Sequence, residues 1–587
     1  MDVAPNQRSA DPSSHGSPVA GDAWIALIDQ LWSANPYSRL LPLDPGGITR
    51  AFQQLWLDAL RRPDHAWAAS VEMAQQYTRV MANSVYRLWG ANGVPPVAEP
   101  DRADRRFATP DWQQNAAFDA LKQAYLLAAT SLLKTAAQVE GLDARAQRKL
   151  IFYLRQFLDA ISPTNSLFTN PQVIHETIAS GGQNLANGMA HLMRDVAAGQ
   201  VKMTDTDAFA PGRNLAIQPG QVVYRNKLIE LIQYAPTTET VFSTPLLFIP
   251  PWINKYYILD MQPGNSFARF LVEHGFTVFI VSWKNPDGSM EGTTFEDYLQ
   301  LGPVAALDVV KEITGSPTVN AVGYCIGGTL LSMALPYLAA TGDTSVNAAT
   351  FLVSLQEFSE VGDTAVFVDE PQVAYMEQKM LERGYLDSRD MAAMFNMLRA
   401  NDLIWSNVVN NYLLGKEPAA FDLLYWNADG TRMARAAHSF YMRNTYLENN
   451  LVKPNRVVLN GVPIDLGTIR QDVYAVAAEQ DHIVPWRAAW QISRLAGGAV
   501  RFVLSGSGHI AGVISPPSKG RGYRTGDASA ETSDRWLAGA ERHDGSWWSD
   551  WVQWLEPRSG ERVAPPGLGS AAHPPLVAAP GTYVLEK

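Results

Sequence analysis

A single cysteine stands in 587 residues. That excludes an internal disulfide and a cysteine metal cluster, and it fits a reducing compartment. Positive charge is also short. The 47 Lys and Arg face 58 Asp and Glu, a net charge of −11, which argues against a general nucleic-acid binder. Residues 1–22 (MDVAPNQRSADPSSHGSPVAGD) are polar, rich in Pro and Ser, and hold no apolar run, so they do not read as a signal peptide. A flexible tail and a cytoplasmic protein are expected. No internal repeat is visible. Between 321 and 340 charge is missing altogether, over a length that would cross a bilayer. Gly323, Gly327, Gly328 and Pro336 interrupt that stretch and no basic anchors flank it, so no transmembrane segment is expected.

What is present is a globular composition, 47% hydrophobic and 18% charged, long enough for several domains or one large domain with insertions. The 17 tryptophans serve either packing or a surface that meets an apolar phase. From 23 to about 210 the apolar spacing is helical. Phe52, Leu55, Trp56, Ala59 and Leu60 share one face, as do Phe118, Leu121, Tyr125, Ala128, Ala129, Leu132 and Leu133, before Gly141 ends that helix. Such stripes predict a helical domain with an ordinary core. Pro95–Arg106 reads as a linker.

From 211 to 587 the period changes. Val222–Leu231, Pro245–Pro251, Thr277–Trp283, Val319–Val322, Ala348–Leu355, Val473–Ala478 and Val500–Leu504 read as strands, with helical stretches such as Ser266–His274 and Tyr298–Thr314 between them. That alternation predicts a mostly parallel sheet covered by helices. Residues from about 356 to 450 break the rhythm and are expected to form a cap inserted over the sheet edge. The Pro- and Gly-rich tail after about 556 is expected to be extended.

The chemistry centres on Val319–Ala340. A short buried strand runs into Gly323-Tyr-Cys-Ile-Gly-Gly328, and a helix follows from Thr329. This is the strand–turn–helix of a nucleophile elbow, with cysteine in the serine position. The turn lifts the Cys325 sulfur to a helix N-terminus, where amide dipoles favour thiolate. A short match of this kind also arises by chance, and a lone cysteine is commonly a small core residue. Its partners decide the matter. A thiolate nucleophile needs a base, and the base an orienting acid. Asp481 lies just past the strand Val473–Ala478, and His509 lies on a Gly-rich loop past the next strand. The order nucleophile, acid, histidine is that of an α/β-hydrolase. His482 rivals His509 as the base; Asp363 and Asp422 are less well placed rivals of Asp481, which would otherwise only cap a turn. The backbone N–H groups of Ile326 and of Ile253, in the loop Pro250-Pro-Trp-Ile-Asn254, are the candidate oxyanion donors.

Gly323–Gly328, Pro250–Tyr257 (PPWINKYY), Phe421–Trp426 (FDLLYW), Asp481–Trp486 (DHIVPW), Ser507–Gly512 (SGHIAG), Gly545–Trp548 (GSWW) and Ala579–Val584 (APGTYV) together resemble class I polyhydroxyalkanoate synthases, from about residue 100 to the end. The resemblance implies an α/β-hydrolase fold with a cap and a helical N-terminal domain. It implies polymerisation of (R)-3-hydroxyacyl-CoA, short-chain in class I and so 3-hydroxybutyryl-CoA here, with release of CoA. Cys325 would carry the acyl chain and His509 would deprotonate the thiol. Asp481 would either orient His509 or assist with the substrate hydroxyl. It further implies a homodimer, a seat on the polyester granule, and no cofactor or metal beyond the CoA thioester substrate. A cysteine-type thioesterase of the same fold and a non-catalytic granule protein are the alternatives. Trp252 and Ser515 depart from the family pattern, and Trp252 is expected to affect the entrance or the substrate range. Ile404-Trp405 through Tyr412 is expected to help exclude water from the cleft.

Overall fold

Six consecutive-reading apolar segments pair side by side at the centre of the computed structural model, which describes residues 45–89, 94–102 and 104–587. The tail expected at 1–22 lies outside the described residues. The chain divides into two units, one running up to Val201 together with Arg399–Glu417, the other comprising Lys202–Leu398 and Pro418–Lys587.

The second unit is built on one eleven-stranded sheet. Its strands are β1 (Gly220–Arg225), β2 (Ile229–Tyr234), β3 (Leu246–Ile249), β4 (Val278–Trp283), β5 (Val319–Tyr324), β6 (Val346–Leu352), β7 (Asp472–Ala478), β8 (Val500–Ser505), β9 (Tyr523–Thr525), β10 (Glu541–His543) and β11 (Val577–Ala578). The spatial order is β10-β9-β8-β7-β6-β5-β3-β4-β2-β1-β11. The stretch from β4 to β8 is parallel, and both edges are antiparallel. Parallel strands are covered on both faces, which is why they read as unbroken apolar runs. All residues of β3, β4 and β5 are buried. The run expected as one strand at Val222–Leu231 is a hairpin of β1 and β2, turned at Asn226, whose side chain accepts from the N–H groups of Leu228 and Ile229.

The uncharged stretch is β5 followed by the helix Ile326–Ala340, buried along nearly its whole length against the sheet. Among the described residues no helix is long and apolar enough to cross a membrane. The tail after 556 is more ordered than its composition suggests. Arg562–Val563 pairs with Val241–Phe242, and β11 adds a strand beside β1.

The first unit consists of helices Pro45–Arg61, Pro63–Leu88, Ala116–Ala137, Ala144–Ala160, Pro171–Ala179 and Gln183–Ala198, joined by residues 399–417. The cap expected over 356–450 is therefore interrupted. The Asn184 amide donates to the Leu413 carbonyl at 2.8 Å, and the Tyr412 hydroxyl donates to Asp195 at 2.8 Å. A Cβ on Gly188 would meet the Tyr412 carbonyl oxygen at 1.9 Å, so the backbones touch there. The helix Ala116–Ala137 buries less of its apolar stripe than expected. Its buried positions are Asp119, Lys122, Gln123, Leu127 and Ala136, because Asp119 pairs with Lys122 at 2.7 Å and Arg87 also binds it. On the helix Pro45–Arg61, Trp56 and Leu60 stand exposed.

Candidate active site

Three groups read from the sequence meet at the carboxyl ends of β5, β7 and β8, where open α/β sheets gather their ligands. Cys325 follows β5 directly. Its backbone sits at φ 53°, ψ −124°, a conformation that costs a non-glycine residue energy and recurs at functional sites. Its N–H donates to the Leu352 carbonyl at 2.9 Å, tying the elbow to the neighbouring strand. The helix starting at Ile326 can begin so close to the sheet because Gly327 has no side chain. A Cβ there would lie 2.1 Å from the Ile249 carbonyl oxygen and 2.7 Å from that of Pro250. The same contact sets the 250–254 loop beside Cys325.

His509 Nδ1 lies 2.7 Å from Asp481 Oδ2. The other carboxylate oxygen of Asp481 accepts the N–H groups of Ile483 and Val484, both at 2.9 Å, so this residue caps a turn and engages the histidine at once. Burial alone would lower the His509 pKa. The Asp481 carboxylate and the hydrogen-bonded Cys325 sulfur outweigh it and push the pKa up to about 10. The 2.7 Å contact with Asp481 belongs to His509, and Asp422 is committed to Gln262 and Asn265.

Tryptophans hold the histidine loop. In the helix Trp547–Leu555, the Trp547 indole N–H donates to the Gly512 carbonyl and that of Trp548 to the Val513 carbonyl, each at 2.8 Å. Ser546 donates to the Ser515 carbonyl. The GSWW motif thus supports the loop that presents His509, a role the sequence did not reveal.

The Ile326 N–H opens its helix, and the first N–H groups of a helix have no intrahelical acceptor. Ile253 and Ile326 line one cavity with Cys325. The Ile253 loop is clamped from the other side. Its carbonyl accepts from the Thr431 N–H at 3.0 Å, the Thr431 hydroxyl donates to the Trp252 carbonyl, and Asn254 bridges to Gly430. Lys255 pairs with Asp429 at 2.9 Å, and the Trp426 indole donates to the Lys255 carbonyl at 2.7 Å. Trp252, expected to influence the entrance, is instead buried among Trp283, Phe295 and Tyr298 and is no part of the cavity wall.

The cavity holds about 90 Å³ and is mostly apolar. Its outer wall comes from the cap: Phe367, Met376, Met391, Phe395, Tyr441 and Tyr446. Tyr446 is carried by a π-helical turn, Arg443–Leu447, a distortion that recurs at functional sites. Ile404-Trp405 through Tyr412, expected in this wall, belongs to the other unit. Among the described residues no cluster of His, Cys, Asp and Glu is arranged to hold a metal.

The family model of the poly-beta-hydroxybutyrate polymerase (PhaC) N-terminus matches residues 103–271, and that of the alpha/beta hydrolase fold matches 244–516. A poly(3-hydroxyalkanoate) polymerase of Methylorubrum extorquens is 46% identical, over 92% of this chain and 90% of its own. The poly(3-hydroxyalkanoate) polymerase subunit PhaC of Rhizobium etli is 43% identical over 91% of this chain and 85% of its own. That of Cupriavidus necator is 43% identical over 90% and 91%. With an elbow cysteine on an α/β-hydrolase sheet and relatives aligned over nearly the full length, the chain belongs to the poly(3-hydroxyalkanoate) polymerase family of acyltransferases.

Proposed function

We propose that the protein polymerises (R)-3-hydroxyacyl-CoA, with 3-hydroxybutyryl-CoA as the preferred unit, through an acyl group carried on Cys325. The observation that carries this reading is the pairing of Cys325 with His509 and Asp481 beside an apolar, cap-covered cavity. In acylation the sulfur attacks the thioester carbonyl, and the oxyanion is held by the N–H groups of Ile326 and Ile253. The bond from carbonyl carbon to CoA sulfur then breaks. The departing sulfur takes the proton from His509 Nε2, the nitrogen left free by the contact of Nδ1 with Asp481. Neutral His509 next accepts the proton of an incoming 3-hydroxyl, whose oxygen attacks the acyl carbon and expels Cys325. The product is an ester one unit longer, still a CoA thioester, which re-acylates the single sulfur. Exchange between two thioesters is close to balanced in energy, so the new ester bond drives growth. Water must be kept from the acyl-enzyme, and the methionine and aromatic wall suits that task.

The enzyme is further proposed to act in the cytoplasm as a homodimer seated on the polyester granule, a reading that rests on the family resemblance. The test is purified protein with 3-hydroxybutyryl-CoA, following thiol release and turbidity together. The expected result is CoA release with insoluble polyester, both abolished in Cys325→Ala. Recovery of free 3-hydroxybutyrate alone would make the chain a hydrolase, and turnover by Cys325→Ala would overturn the covalent route.

A further inference from the structure

The cavity beside Cys325 is lined by polar side chains that the steps above leave unused. Several hydroxyl groups of its wall are engaged. Thr329 donates to the Leu355 carbonyl at 2.7 Å, and Tyr441 interacts with Thr329 and Tyr446. Two lining side chains differ. The Nδ1 atom of His438 and the Oγ1 atom of Thr364 are buried and have no hydrogen-bond partner. His438 is only 4% exposed, and burial pushes its pKa down to about 4, so the ring is neutral near pH 7, one nitrogen a donor and the other an acceptor. An unpartnered buried polar atom costs stability, and in a ligand cavity it marks the place of a ligand atom. The same cavity wall is otherwise soft and apolar, with Met376, Met391, Met394 and Met442. Unbranched thioethers adapt to side chains of differing shape.

A 3-hydroxyacyl group differs from a plain acyl group by one oxygen, two carbons from the carbonyl. The donors at Ile326 and Ile253 address the carbonyl and cannot read that oxygen. We infer that His438, with Thr364, forms the subsite that holds the 3-oxygen of the unit carried on Cys325, while the four methionines receive its side chain. This inference rests on the covalent reading above and deepens it: the site selects hydroxylated acyl groups by pairing buried polar atoms that are otherwise unmatched.

The experiment is single-turnover acylation of Cys325 by 3-hydroxybutyryl-CoA and by butanoyl-CoA, which lacks the hydroxyl, read by thiol release and by intact mass. The unaltered chain should favour the hydroxylated substrate. His438→Phe should slow that substrate about tenfold, the factor one neutral hydrogen bond commands, and leave butanoyl-CoA unchanged. Thr364→Val should act in the same direction, and His438→Gln should restore the preference. His438→Phe should unfold at no lower temperature, because it removes an unpartnered nitrogen. A preference unchanged in both the Phe and Val variants, or an equal loss for both substrates, overturns the subsite alone. Absence of any acyl group on Cys325 of the unaltered chain overturns the covalent reading, and the subsite with it.

Discussion

Replacing Asp429 by asparagine should loosen the loop that carries Ile253, the proposed second oxyanion donor. Asp429 accepts from Lys255 at 2.9 Å, from the Tyr257 hydroxyl at 3.0 Å and from Lys587 at 3.0 Å. Lys255 and Asp429 are 3% and 6% exposed at their side chains, so solvent screens the pair little. Burial lowers the Lys255 pKa and Asp429 opposes that shift, as expected of an ammonium held in place by its partner. Breaking a buried pair by neutralising one member leaves an uncompensated charge, at about 3–5 kcal/mol. Asparagine keeps the shape and one acceptor oxygen, and the Glu586 carbonyl still accepts from Lys255, so the lower end of that range is expected. Gly430 and Thr431, next in sequence, hold Asn254 and Ile253, so the damage should reach the oxyanion loop. Loss of one such donor bounds the fall in rate at about 10²–10³. Urea unfolding measures the first effect and thiol release from 3-hydroxybutyryl-CoA the second. The double variant Lys255→Met with Asp429→Leu, apolar on both sides, should recover most of the stability. A destabilised Asp429→Asn protein that keeps its full rate would refute the link between the ion pair and the oxyanion loop.

Two further outcomes are expected. Asp260, buried beneath Tyr234 and Ser266, has its pKa pushed up to about 6 by burial, against hydrogen bonds that lower it. The folded state then binds a proton more tightly than the unfolded one. Stability should fall as pH rises from about 4 to 6, by about 3 kcal/mol for a shift of that size, and Asp260→Asn should remove that part of the slope in urea unfolding. Gly327→Ala would set a methyl group 2.1 Å from the Ile249 carbonyl oxygen, with only backbone to yield. It should part the elbow from the oxyanion loop and cut thiol release by about 10²-fold, the cost of a misplacement near 1 Å; a fully active variant would show the close approach to be dispensable.

What could be read from the sequence was local. The elbow is complete within Val319–Gly328, and Asp481 and His509 each follow a strand whose apolar run announces it. What escaped depends on partners distant in the chain. Residues 399–417 look like part of a cap until Asn184, Gly188 and Asp195 are seen to receive them. The stripe at Phe118–Leu133 predicts a plain apolar core, yet Asp119 and Lys122 are buried because each has the other. Trp252 sits in an oxyanion loop by sequence, but its ring turns into an aromatic cluster with Trp283 and Tyr298. Periodicity carries no information about such pairings.

The parallel strands place the Cys325, Asp481 and His509 backbones, but strands cannot fix the loops beyond them; side chains from late in the chain do. Trp547 and Trp548 hold the histidine loop, and residues 426–431 with Glu586 and Lys587 hold the loop of Ile253. The extended-looking tail is therefore structural support for the site. Continuity adds a constraint. Thr431 holds Ile253, and the helix Arg435–Met442, which carries His438 and Tyr441 into the cavity wall, begins four residues later. So short a connection gives little slack. On the proposed mechanism, a displacement of this part of the wall would pull on the loop of Ile253. Exclusion of water and alignment of the proposed oxyanion donors would then be coupled through one stretch of backbone. That coupling would suit the proposed acyl intermediate, which must meet an alcohol before it meets water.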